Sequence, residues 1–358
     1  MSSDFQILVI NPGATSTKLA WYSQSKQIFQ KKFVHADKDL QTFSCVSEQL
    51  PYRKEIIQNA LEESGRELSS LNAIAARGGL LPPLAGGTYR VNEEMCDYLR
   101  AAVRGEHASN LGVLIGWDLA REAGCPVFVT DPVSVDELSD EARLSGFPPV
   151  PRVSLFHALN IRAVARRHCA LQGERLEERD LVVCHLGTGI SMAALKKGRS
   201  VDMINPRDEG PFGMDRSGGL PVHSLLKYVE AESVSMSKMR RVLFSRGGVF
   251  SYLGTRDLRI VEKMMNEGDE QAGLVFRAMA YQISKFVAGM MIPLGGKADA
   301  IIFTGGMARS VAFLDSLKQQ VGFLGDVFVY PGEYEIEALA LGALRVLTGE
   351  ERSMEFHV

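Results

Sequence analysis

Two stretches about half a chain apart follow one plan, and this repetition narrows the possible architectures more than composition does. The first reads Ile7-Leu-Val-Ile-Asn11-Pro-Gly13-Ala-Thr-Ser16-Thr-Lys18-Leu-Ala-Trp-Tyr22, followed by the polar turn Ser-Gln-Ser-Lys. The second reads Leu181-Val-Val-Cys-His185-Leu-Gly187-Thr188-Gly189-Ile-Ser191-Met-Ala-Ala-Leu195, followed by Lys-Lys-Gly-Arg. Each has an apolar strand, a polar residue, a glycine two positions later, a hydroxyl-rich turn and a second apolar strand. A chance likeness between two glycine hairpins is the plain alternative. A duplicated domain explains both at once.

Around these hairpins, strand-length apolar runs alternate with helical patterns. Strands are expected at Ile7–Ile10, Lys18–Tyr22, Ala73–Ala76, Val127–Thr130, Leu181–His185, Ser191–Leu195, Ala300–Thr304 and Val327–Tyr330. Between them, apolar residues recur at three- and four-residue steps in Asn110–Gly124, His157–Leu171 and Gln271–Ile292. Gly124 and Gly349 stand where helices should stop. This alternation predicts an α/β protein with helices covering sheets. A length of 358 residues suits two domains. The three prolines of Gly146-Phe-Pro-Pro-Val-Pro151 mark the expected boundary. The expected domains are therefore 1–150 and 151–337, with a last helix at about 338–358 packing back on the first.

Composition excludes several classes of partner. Forty Lys and Arg against 43 Asp and Glu give a net charge of −3, without the basic excess of a nucleic-acid binder. No run approaches the length needed to span a bilayer, and the first residues lack the pattern of a signal peptide. The five cysteines are scattered without a C-x-x-C pair, which fits a reducing cytoplasm better than a disulfide framework or a zinc site.

Several motifs point to phosphate chemistry. Turns of Gly, Thr and Ser offer backbone N–H groups and hydroxyls to phosphate oxygens. Asn11 to Lys18 provides such a turn with Ser16 and a lysine ammonium; Gly187-Thr188-Gly189 provides another, preceded by His185. A hairpin needs such residues in any case, so neither turn is decisive alone. Thr304-Gly305-Gly306 follows a strand, where α/β proteins commonly bind nucleotides. Arg77 precedes Gly78-Gly79, and Arg216 lies in the glycine-rich stretch Glu209–Gly219, which reads as neither helix nor core. Guanidinium forks beside glycines match phosphate or carboxylate. Asp131, at the end of a strand, is either a turn former or a carboxylate aimed at a metal or catalytic group. His157 opens a helix.

Together these motifs resemble the butyrate kinase branch of the acetate kinase family, within the wider group of sugar kinases, Hsp70-type chaperones and actin. The likeness covers essentially the whole chain and includes Ile10-Asn-Pro-Gly-Ala-Thr-Ser-Thr-Lys18, Arg77-Gly-Gly-Leu-Leu81, Asp131-Pro-Val, Phe156-His-Ala-Leu-Asn160, His185-Leu-Gly, Arg216-Ser-Gly-Gly-Leu-Pro221, Phe303-Thr-Gly-Gly306 and Glu337-Ala-Leu-Ala-Leu-Gly-Ala-Leu344. It implies two duplicated ribonuclease H-like (actin-like ATPase) domains flanking a nucleotide cleft.

The implied reaction is phosphorylation of butyrate by ATP with Mg²⁺, giving butyryl phosphate and ADP; isobutyrate is the alternative acid. A non-catalytic actin- or chaperone-like nucleotide switch is the alternative activity. By the resemblance, Arg216 and Arg77 contact the transferring phosphoryl group and the carboxylate, while His185 contacts phosphate oxygens. His157 helps stabilise the transition state, and Asp131 orients an arginine or a metal-bound water. Asn11 and Glu337 match Mg²⁺ positions; the turns at Gly187 and Gly305 match the nucleotide site. Arg77 stands where small-acid members carry His, and Thr188 where acetate kinases carry Asn. The expected partners are ATP, a small carboxylate and further copies of the chain in a homo-oligomer, a dimer or larger, with no nucleic acid and no membrane.

Overall fold

The computed structural model describes residues 4–357 and contains two compact units, Met1–Val135 with Tyr334–Val358, and Asp136–Glu333. In the first unit the strands are β1 (Gln6–Pro12), β2 (Ser16–Ser23), β3 (Lys26–Val34), β4 (Ala73–Ala76), β5 (Thr88–Arg90) and β6 (Val127–Thr130). The second holds β7 (Asp180–Leu186), β8 (Ile190–Lys196), β9 (Arg199–Ile204), β10 (Ala300–Gly305) and β11 (Val327–Pro331); β12 (Met354–Glu355) returns to the first.

The sheets are ordered β12-β5-β6-β4-β1-β2-β3 and β11-β10-β7-β8-β9. Five strands correspond one to one. In each sheet the first two pair antiparallel, the third joins the second antiparallel, and two parallel strands follow on the other side. Even the irregularities match: the β2–β3 register shifts at Trp21/Tyr22, and β8–β9 shifts at Ala194/Leu195. The repeated hairpins are thus the opening of two copies of one sheet. In register, Ile10 lies beside Ala76 and Thr304 beside His185, so Asn11-x-Gly13 corresponds to His185-x-Gly187 and Arg77-Gly-Gly to Thr304-Gly-Gly.

Both sheets are covered on two faces, which is why β1 and β7 read as unbroken apolar runs. Leu8, Ile10 and Ile74 join a core with Ile57 of the helix Leu50–Glu63 and Leu111, Ile115 and Leu119 of the helix Asn110–Ala123. The C-terminal helix Glu335–Leu347 lies on β1, β4 and β6. In the second unit Val182, Cys184 and Met192 meet Val275, Met279 and Ile283 of the helix Glu270–Gly289. The helix Ala158–Leu171 lies on β7 and β10. The first long helix after the last parallel strand of each repeat therefore covers the sheet of the other repeat.

This crossing explains where the units divide. Val135 still bridges Leu84 of the first unit, whereas Ser139 N–H already donates to Val201 O of the second. The proline segment 146–151 lies within the second unit, because the adjoining Arg152 is tied to Asp202, Glu209 and Met203 O. The stretch 209–219 is also more integrated than its composition suggests. Phe212 and Met214 are core residues of the second unit.

Candidate active site

In both units the polar residues collect at the carboxyl ends of the parallel strands, where open α/β sheets bind ligands. In the second unit, β7 ends at Leu186 and the turn Gly187-Thr188-Gly189 leads into β8. The amides of these three turn residues donate to no acceptor among the described residues. Thr188 O accepts from Met214 N–H, anchoring the turn to the loop that carries Arg216. A Cβ at position 189 would lie 2.6 Å from Arg216 Nη1, so the guanidinium rests directly on the glycine backbone. Phe244 covers it, with its ring centroid 4.6 Å from Cζ. Burial, countered by Asp215 and assisted by Arg207, lowers the Arg216 pKa from its usual range; an arginine remains cationic nonetheless.

Two histidines stand beside the turn with parallel rings, 4.1 Å between centroids. His185, buried at the end of β7, has its Nδ1 at 2.9 Å from Asn160 Nδ2. The amide donates there, so the proton of the neutral ring sits on Nε2. His157, which opens the helix Ala158–Leu171, has Nδ1 at 2.7 Å from Ser191 Oγ. Asn160 also donates to Thr304 Oγ1 at 3.4 Å. Gly305 takes φ +93°, and a Cβ there would meet Leu186 O at 2.5 Å, a fit open only to glycine. Gly306 follows with open space around it. The structure thus gathers His157, His185, Gly187, Thr188, Gly189, Gly305 and Arg216 around the end of one strand pair.

The first unit gathers a second group. Asn11 is the penultimate residue of β1, and its Nδ2 donates to Glu335 Oε2 at 3.0 Å. Arg77, just beyond β4, places Nη1 2.6 Å from Glu335 Oε1. Glu335 opens the C-terminal helix and was not singled out by sequence reasoning. Glu337, two residues on, lies by Tyr22. Burial, followed by the charge of Glu337, pushes the Tyr22 phenol up to about 12. Asp131 is fully buried at the end of β6 and exchanges two hydrogen bonds with Gly87, accepting at Oδ1 and donating from its own N–H. Lys18 faces Asn11 across the β1–β2 ladder, and Ser16 O accepts from Gly13 N–H. Asn110, also missed, accepts from Leu80 N–H and holds the Arg77-Gly-Gly turn in place. Its signal is faint: an asparagine in the first turn of an apolar helix.

Two copies of this sheet, each with donors at its strand ends, define the class: an actin-like ATPase fold. Solved structures share it. Porphyromonas gingivalis acetate kinase matches with a TM-score of 0.76, at 18% identity over 96% of this chain and 100% of that one. Francisella tularensis propionate kinase matches with a TM-score of 0.74, at 18% identity over 94% and 98%. The acetokinase family model matches residues 152–327. Among full-length relatives, "Probable butyrate kinase 1" of Thermotoga maritima is 45% identical over 98% of both chains. "Butyrate kinase 1" of Clostridium acetobutylicum is 41% identical over 98% of this chain and 99% of its own. The chain belongs to the acetokinase family.

Proposed function

We propose that this protein transfers the γ-phosphoryl group of ATP to the carboxylate of butyrate, giving butyryl phosphate and ADP. The observation that carries this reading is the end-to-end likeness to relatives named butyrate kinases. The donor-lined turn beneath Arg216 supports it. Phosphoryl transfer asks the protein chiefly to position its reactants and stabilise charge. A carboxylate is already ionised near neutrality, so no general base is needed. The amides of Gly187, Thr188 and Gly189, with His185 Nε2–H, would donate to ATP phosphate oxygens, and Gly305-Gly306 would admit the nucleotide. Arg216 would stabilise the equatorial oxygens, assisted by His157. Arg77, Asn11, Ser16 and Lys18 would serve the transferring group and the acid, with Asp131 holding the Gly87 segment in place.

Magnesium kinases use one or two carboxylates besides substrate phosphates, with water completing the shell. The first unit has such donors: the Asn11 side-chain carbonyl and the two carboxylates of one helical turn. Glu335 is the carboxylate already at Asn11, while Glu337, the sequence expectation, is the other. When bound there, Mg²⁺ would neutralise phosphate charge.

We place the enzyme in the cytoplasm, a reducing compartment that suits its five unpaired cysteines. A homo-oligomer is supported by the helix Val222–Ala231, which buries none of its residues and exposes Val222, Leu226 and Tyr228.

The test is an assay of the purified protein with Mg-ATP and acetate, propionate, butyrate or isobutyrate. Butyrate is expected to give the highest kcat/KM, with ADP and acyl phosphate formed in equal amounts. ATP hydrolysis independent of any acid, with no acyl phosphate, would reject the kinase reading.

A further inference from the structure

Outside the groups described so far, Arg53 stands apart. It lies in the helix Leu50–Glu63, is completely buried, and forms no ion pair with a carboxylate among the described residues. Only uncharged oxygens hold its guanidinium. Nη1 donates to Gly13 O at 2.9 Å, Thr17 Oγ1 at 3.1 Å and Ser16 O at 3.4 Å. Nη2 donates to Ala14 O at 3.2 Å and to Gln49 Oε1 at 2.8 Å, and Nε donates to Gln49 Oε1 at 3.1 Å. A buried cation without a counter-charge is a costly arrangement.

These bonds draw the carbonyls of the β1–β2 turn inward. In the same turn, the amides of the exposed residues Ala14 and Thr15 donate to no acceptor among the described residues. Successive unpaired amides can form an anion-binding concavity, and here a full positive charge is bonded to the carbonyls of the same turn. The neighbouring His35, 2.8 Å from Thr17 Oγ1, adds no second cation, because burial and the Arg53 charge hold it down to about 4.

We infer that Arg53 is a positioning residue for the Gly13–Thr17 turn, and that its missing counter-charge is the phosphoryl group bound at that turn. This rests on the phosphate role proposed above for Asn11, Ser16 and Lys18. The anion's class follows from the donors: a phosphate or acyl phosphate, not a planar carboxylate held by an arginine fork.

The discriminating variant is Gln49→Glu, which preserves shape and acceptors while supplying the absent negative charge. Full-length protein is assayed from butyryl phosphate and ADP, with inorganic phosphate as inhibitor and Tm recorded. A kcat/KM for butyryl phosphate lowered about tenfold or more, weaker phosphate inhibition, an unchanged ADP KM and an undiminished Tm are expected. A folded variant with wild-type kinetics overturns the inference. Should Gln49→Glu fail to fold, Arg53→Lys is read in its place: it keeps the charge but loses the fork, so wild-type kinetics there also overturn it. Lys18→Met separates the two readings. If it too is wild-type, the phosphate role of the turn falls; if it is impaired while Gln49→Glu is normal, only the Arg53 inference falls.

Discussion

At the scale of single residues, the second unit depends on one close approach. Gly189 has no room for a methyl group unless Arg216 moves, and the obstructing atoms are the mobile end of a side chain. Gly189→Ala is therefore expected to displace the guanidinium while sparing the fold. Kinetics should show kcat lowered about 10²-fold, the scale of losing one charge-stabilising donor, with Tm nearly constant. Arg216→Ala should lower kcat at least as far while leaving the KM for ATP within a few-fold; comparable losses in both would contradict its role. Arg216 was legible in the sequence because glycines surround it. Arg53 was not: inside Leu50–Glu63 nothing distinguishes it from a solvated helix arginine, and only the fold shows that its partners are carbonyls some forty residues earlier. Glu335 and Glu337 present the same difficulty. They share one helical turn, and the sequence alone does not say which meets Asn11.

His35 offers a pH test at the same scale. Its folded value of about 4 lies below the ordinary 6.5. The unfolded chain therefore takes up this proton first, so stability rises with pH across that window. The contribution of His35 is complete above about pH 6.5 and is lost as the pH falls toward about 4, amounting to about 3 kcal/mol when fully titrated. Urea unfolding of the wild type should weaken more steeply over this range than that of His35→Gln. Parallel curves would mean that His35 is not buried in its neutral form.

At the scale of elements, legibility follows burial. The eight strands expected from sequence all occur, and Ala73–Ala76 and Val127–Thr130 occur with those bounds. Their apolar runs are dictated by sheets covered on both faces. β3, β5, β9 and β12 went unread. In β3 most residues are exposed on both faces, so Lys26–Val34 carries no alternation to detect. β5 and β12 are too short to show any period. The ion pair at the start of the C-terminal helix joins that element to β4, and a double-mutant cycle can measure the link. Arg77→Ala and Glu335→Ala should each destabilise. Their effects should fall short of additivity by about 0.5–3 kcal/mol, the usual range for contacting groups. Strict additivity in urea unfolding would show that the pair contributes nothing to anchoring the helix.

At the scale of the whole molecule, the two repeats exchange helices, and this makes the units unequal in chain terms. The first is discontinuous: its sheet needs the C-terminal helix, which arrives only after the second unit has been traversed. The second is a single segment, Asp136–Glu333, whose core from Val182 to Val321 and covering helix Ala158–Leu171 all lie inside it. It also holds Gly187–Gly189, His185, Gly305 and Arg216, the groups proposed for the nucleotide. A fragment 136–333 is therefore expected to fold alone, unfold cooperatively on heating and bind ADP by calorimetry. It should not phosphorylate butyrate, since Asn11, Arg77 and Glu335 are absent. The complementary truncation, ending before Tyr334, should expose the apolar sheet face of the first unit and aggregate. If instead the fragment lacks a cooperative transition while the truncated chain stays soluble and stable, the sheets do not depend on the exchanged helices as their packing implies.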